Sequence, residues 1–209
     1  MTERRLSMFA MFATLSLLNA ADADPAKTAA PKTPDGAPSL EIATVGKTGM
    51  LPANTSSLAS KAAEAFGKRD WNAARLAYRE MIETEPENAL AWANLGAVEQ
   101  QDGKMAEAAE CFEKSVRFNH ELVQSWLALG LISSNRGDKY RAISAFSRAL
   151  HEDPLDARAH NHLAIVAKDL GWTDAAEAEL QRAIELNPGY GIAHFNLSLM
   201  YLDRKPPAI

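Results

Sequence analysis

The sequence holds a single cysteine, Cys111. A lone thiol excludes an intrachain disulfide and any metal site built from several cysteines, and its residue type suits a small apolar filler on a helix. Aromatic residues are scarce at 7% of the chain, while Ala, Leu and Glu abound, a balance that favours helices over strands. Charge of one sign is lacking as well. The 22 Lys and Arg are scattered among 27 Asp and Glu for a formal net charge of -5, so no basic stripe exists and nucleic acid is excluded as a partner. The apolar run Leu6 to Leu18 (LSMFAMFATLSLL) has 13 residues, short of the roughly 20 that span a bilayer as a helix. No stable membrane insertion is expected. Missing too are a nucleophile elbow, a phosphate loop, an H-E-x-x-H helix and a paired-carboxylate pocket, so no catalytic residue, cofactor or enzymatic activity is expected.

What the N-terminus does contain is an address. Arg4 and Arg5 precede the apolar run, and Ala21-Asp22-Ala23 flanks a cleavage point before Asp24. Residues 1–23 read as a Sec-type signal peptide, which predicts an exported protein, periplasmic or secreted. The arginine pair admits the twin-arginine route, although the following LSMF matches that pattern poorly. No cysteine follows the apolar run, so a lipoprotein anchor is excluded. Residues 24–54, rich in Ala, Pro, Lys, Thr and Gly, bury too little to offset chain entropy and read as a flexible linker. Within it Leu40 to Val45 (LEIATV) alternates briefly, as a strand pairing with a partner would, or as a slightly apolar stretch of linker.

Self-comparison organises the rest. Trp92, Leu95 and Gly96 are followed 34 residues later by Trp126, Leu129 and Gly130, then by His160, Leu163 and Ala164, then by His194, Leu197 and Ser198. Ala108, Ala142 and Ala176 recur at the same interval, as do Phe112, Phe146 and Leu180, and Gly103, Gly137 and Gly171. Pro86, Pro154 and Pro188 close units, with His120 in the remaining slot. Apolar residues spaced by three and four on either side of the glycine turns predict a helical hairpin per unit. Small Gly96, Gly130 and Ala164 let the first helix approach the second, with Trp92, Trp126, Phe112 and Phe146 filling the space beside that contact.

These residues resemble the tetratricopeptide repeat family, whose 34-residue unit carries Trp, Leu-Gly, Ala, Phe and Pro in this order. The resemblance covers residues 55–203, as units 55–88, 89–122, 123–156 and 157–190 and a terminal helix 191–203, with a tail at 204–209. The first unit is degenerate, with Leu58 in the Trp slot and Lys61 in the Leu slot. The implied fold is all-α, a right-handed α-solenoid of stacked hairpins with a concave side lined by the first helices.

Positions four, seven, eight and eleven of each first helix are expected to pack inward, leaving two, five, six and nine toward the groove. The candidate partner-binding residues are therefore Asn94, Leu127, Leu131, Asn161, His162, Ile165, Phe195 and Asn196. Aliphatic groups there would bury against a peptide or helix while amides bond its backbone. Asn94 and Asn196, in A-W-A-N-L-G and A-H-F-N-L-S, are similar to the repeats of the O-GlcNAc transferase superhelix, which implies an asparagine ladder gripping peptide; Ala128 and His162 depart from it. The family's carboxylate clamp is not implied, because Ala59, Ala63, Gln124 and Ala128 stand where its charged and amide groups belong. His160 and His162 point in different directions on one helix, so no metal site is expected.

The expected function is that of a non-catalytic interaction scaffold of the cell envelope holding a partner peptide or helix. The alternatives are a self-assembling repeat protein, or a regulatory module for a separately encoded enzyme. Because Lys205-Pro206-Pro207 breaks helix after 191–203, the face bearing His194, Leu197 and Tyr201, with Met200 and Leu202 nearby, is expected to lack its covering helix. It would then pair in a homodimer or dock a partner's helix.

Overall fold

The computed structural model describes residues 53–203, with side chains from Ser57 onward. The signal peptide 1–23, the linker to residue 52 with Leu40 to Val45, and the tail 204–209 lie outside the described residues. Nine α-helices and no strand are found among the described residues: α1 (Ala53–Gly67), α2 (Trp71–Thr84), α3 (Ala89–Gln101), α4 (Met105–Phe118), α5 (Val123–Asn135), α6 (Lys139–Glu152), α7 (Ala157–Asp169), α8 (Thr173–Leu186) and α9 (Gly191–Asp203). From α3 onward each odd-numbered helix starts 34 residues after the last, which is the period of the sequence. α1 opens at Ala53, two residues ahead of the expected unit start.

Local chemistry sets these boundaries. Gly103, Gly137 and Gly171 adopt φ of +80°, +79° and +78° between the two helices of a hairpin, a left-handed turn that glycine enters without a steric penalty. The same position in the first hairpin is Arg69, at φ +59°. Acidic or amide side chains cap helix N-termini: Asp70 accepts from the Ala73 amide at 3.0 Å, Asn88 from Ala91 at 2.9 Å, and Asp156 from Arg158 at 2.8 Å.

The described residues divide after Glu152 into two compact units. In the first, one core gathers Leu58, Ala62, Ala74, Tyr78, Met81, Leu95 and Val98, and burial pushes the Tyr78 hydroxyl up to about 12. A second core joins Ala97, Ala108, Phe112, Val116, Ala128, Leu129 and Ile132. Gly96 and Gly130 do what their size suggests. A Cβ at Gly96 would meet Phe112 Cδ1 at 3.0 Å, and one at Gly130 would meet Phe146 Cδ1 at 2.6 Å, so the rings of α4 and α6 rest on bare backbone. In the unit beginning at Asp153 the core comprises Ala157, Ala164, Ala167, Ala176, Leu180, Ala183, Tyr190, Ala193 and Met200. There Ala164 and the narrower Leu180 take the places of the glycine and phenylalanine.

One expectation is corrected. Trp92 and Trp126 do not fill the interior as Phe112 and Phe146 do. Both are half-buried, with Lys114 Nζ 4.0 Å above the Trp92 ring and the Arg148 guanidinium 5.2 Å from that of Trp126. Their indole nitrogens donate to the carbonyls of Pro86 and His120, each six residues upstream, at 2.8 Å. His160 Nε2 and His194 Nε2 stand 3.1 Å and 3.0 Å from the carbonyls of Pro154 and Pro188, also six residues upstream. A carbonyl only accepts, so each imidazole donates there, and the slot that holds Trp in two units and His in the next two preserves a ring N–H that ties down the preceding loop. The missing proline at His120 costs that turn nothing, because the tie uses a backbone carbonyl.

Glu99, at the eleventh position of its unit and so on the side expected to pack inward, is 2% exposed in α3. Its carboxylate takes both arms of Arg75, from α2, at 2.8 Å each, and Arg75 also reaches Asp102 at 2.5 Å. The bond to Glu99 leads the causes that hold the Arg75 guanidinium above its ordinary range. Removing one partner of such a buried pair strands a charge, at a cost of about 3–5 kcal/mol.

Candidate functional site

The sequence-derived binding residues fall in both compact units. In the unit ending at Glu152, Asn94 is 6% and Leu127 5% exposed, so neither projects freely from its helix. The reason is helix crowding: α3 and α5 are apolar on nearly every side, and Ala97 and Ala128 lie in one core, which brings the two helices together along this face. Leu131 and Gln124, half-buried, supply the accessible part of that face on α5.

In the unit from Asp153, α9 lies beside α7. Asn196 Nδ2 donates to Asn161 Oδ1 at 2.8 Å. Asn161 is 1% exposed, and its own Nδ2 is buried without a hydrogen-bond partner. Such an unsatisfied donor costs about 1–3 kcal/mol. Around this amide pair, Ile165 is 38% exposed and Phe195 66%, with His162 half-buried. The structure thus sets Ile165, Phe195 and Asn196 at the surface, with Asn161 beneath as their support.

The face expected to lack its covering helix is engaged within its own unit. His194 is tied to the Pro188 carbonyl, Leu197 packs against the core, Tyr201 donates to Glu177 Oε1 at 2.6 Å, and Met200 is 1% exposed. Tyr201 meets α8 at Glu177, yet it stays 44% exposed and His194 is exposed, so this side of α9 is partly covered. The free apolar side carries Ile192, Phe195, Leu199 and Leu202. Helical periodicity hid this distinction, since it gives angles around a helix without saying which neighbour occupies which side.

Among the described residues no group of three His, Cys, Asp or Glu is placed to hold a metal ion, and no helix is long and apolar enough to cross a membrane. His160 Nδ1 faces Glu179 Oε2 at 2.6 Å in a part-buried pair. Cys111 is buried, and burial pushes its thiol up to about 11, far from the range of a reactive cysteine.

A search of curated proteins gives no match. Among solved structures, a crystal structure of MamA is 25% identical, with a TM-score of 0.63 over 68% of this chain and 82% of that one. MamA from Desulfovibrio magneticus RS-1, residues 41 to the end, is 15% identical with a TM-score of 0.67 over 73% and 86%. YrrB, described as a TPR protein with an unusual peptide-binding site, is 20% identical with a TM-score of 0.61 over 72% and 83%. These likenesses support an all-α helical-repeat solenoid as the fold class. Family models described as tetratricopeptide repeat match residues 60–119, 127–171 and 157–190. Proteins of that family are generally non-catalytic modules that bind other proteins. With its helices recurring every 34 residues and most of the folded region matched, the chain belongs to the tetratricopeptide repeat family.

Proposed function

We propose that this protein is an exported scaffold of the cell envelope that captures a segment of a partner protein on the faces of its odd-numbered helices. The observation that carries this reading is the surface around the Asn161–Asn196 amide pair, where exposed Ile165 and Phe195 flank polar groups able to bond a peptide backbone. Leu131 and Gln124 offer a comparable apolar and amide combination on α5. YrrB, of the same fold, is described as having a peptide-binding site, and the same use of the surface is proposed here. Export rests on the charged, apolar and small-residue order of residues 1–23. A role as regulatory module for a separate enzyme would differ only in the partner's identity.

The test is capture from envelope fractions by the full chain and by a variant carrying Leu131→Asp and Ile165→Asp. Asn94 is left intact because it is buried, and its truncation would disturb packing. Capture reduced by tenfold or so at an unchanged melting temperature is expected. Undiminished capture by the doubly substituted chain would show that the surface is not used. A chain retaining residues 1–20 in a soluble cytoplasmic fraction would refute export.

A further inference from the structure

The strip on α9 shares Phe195 with the proposed capture surface and otherwise lies beyond it. Ile192, Phe195, Leu199 and Leu202 are spaced by three, four and three residues and are 43%, 66%, 41% and 82% exposed. At 100° per residue they fall within about 80° of one another, on the side turned away from buried Ala193 and Met200. α9 carries no charge before Asp203. On α3 and α7 part of the same side is covered by the next odd-numbered helix, since Ala97 of α3 shares a core with Ala128 of α5 and Asn161 of α7 meets Asn196 of α9, while Ile165, at the position of Leu199, stays 38% exposed. Among the described residues the strip on α9 is therefore a stacking face with no helix laid against it.

We infer that this strip pairs with the same strip of a second copy, α9 against α9 in antiparallel orientation, to form a closed two-fold dimer. The outer residues of α1 decide between this and head-to-tail stacking. Ser57, Lys61 and Glu64 are exposed there, with exposed Lys68 just past its end, and laying α9 on them would bury charges against an apolar surface. Of these two arrangements, self-pairing is the one that sets apolar against apolar. The antiparallel orientation also brings each Asp203 carboxylate toward the N-terminus of the other copy's α9, where the helix dipole favours a negative charge. Four half-exposed side chains offer roughly 100 Å² apiece. That is about half of the roughly 800 Å² per partner in a stable complex, which makes the dimer weak and concentration-dependent.

The experiment is light scattering on the full 22.7 kDa chain across a concentration series from about 1 to 300 µM. The average mass is expected to rise toward twice the monomer value and to level there. The variant Leu199→Glu, Leu202→Glu should keep the monomer mass throughout, with circular dichroism and melting unchanged because both side chains lie outside the core. Leu131→Asp, far in sequence from α9, should dimerise normally while losing partner capture, so that failure of the dimer leaves peptide capture standing and the reverse. A constant monomer mass for the unaltered chain overturns the inference, as does a dimer that survives both glutamates. Growth past a dimer would mean head-to-tail stacking and overturns it equally.

Discussion

Replacing Gly130 by alanine isolates the contact on which each hairpin is built. The added Cβ would stand 2.6 Å from Phe146 Cδ1 and 2.7 Å from Cζ, inside the 3.0 Å that real Cβ contacts respect. Phe146 is 1% exposed, so its ring has nowhere to go. Overpacking of this kind costs about 1–3 kcal/mol, and alanine returns up to about 1 kcal/mol through helix propensity. A net loss of about 1–2 kcal/mol is expected, read by urea denaturation followed in the helical circular dichroism. Phe146→Leu alone should cost about 1–2 kcal/mol from the space it vacates. The two together recreate the pairing seen at Ala164 and Leu180, so the double variant should lose less than the sum by about 1 kcal/mol. Gly96→Ala, whose Cβ would meet Phe112 at 3.0 Å, should be milder. Strict additivity of the pair, or a Gly130→Ala protein more stable than its parent, would refute the packing argument.

Arg69→Gly should stabilise the chain by about 0.5–1 kcal/mol, since φ +59° is strained for a side-chain-bearing residue and the three equivalent positions are glycine; a lowered denaturation midpoint would contradict this. Arg75→Leu should cost about 3 kcal/mol by stranding Glu99, and adding Glu99→Leu should restore much of it, whereas equal losses from the single and double variants would mean that Glu99 is not held as a buried charge. Cys111, with its thiol raised to about 11, should resist iodoacetamide at about pH 8 until the chain unfolds, so rapid labelling of the native protein in a mass-spectrometric time course would show that its core opens.

The architecture was legible because a 34-residue period repeats several signals at once: small residues where helices touch, aromatics opposite them, and glycine at three of the four left-handed turns. Partner-dependent features were not. Glu99 sits at an inward position, and its burial is tolerable because Arg75, 24 positions away, pairs with it, with Arg79 Nη2 3.9 Å off. The Trp and His slot reads as core on hydrophobicity, yet its constant feature is a ring N–H aimed at a carbonyl six residues upstream. Asn94 and Asn161 are amides by sequence and surface residues by expectation, but α3 and α7 have neighbours along that side and both amides are buried. The side of α9 left free could be told from the side packed on α8 only once the contacts of Leu197, Met200 and Tyr201 were known.

The central claim, capture of a protein segment on the odd-numbered helices, is tested most directly by placing a photo-crosslinking amino acid singly at Ile165 or Phe195 in one unit, or at Leu131 in the other, in the full chain within its native cells. Discrete adducts with the same partner from these positions, and none from Lys61 on the polar side of α1, are the predicted result. Adducts that form equally from Lys61, or no adduct from any of the three surface positions, would contradict it.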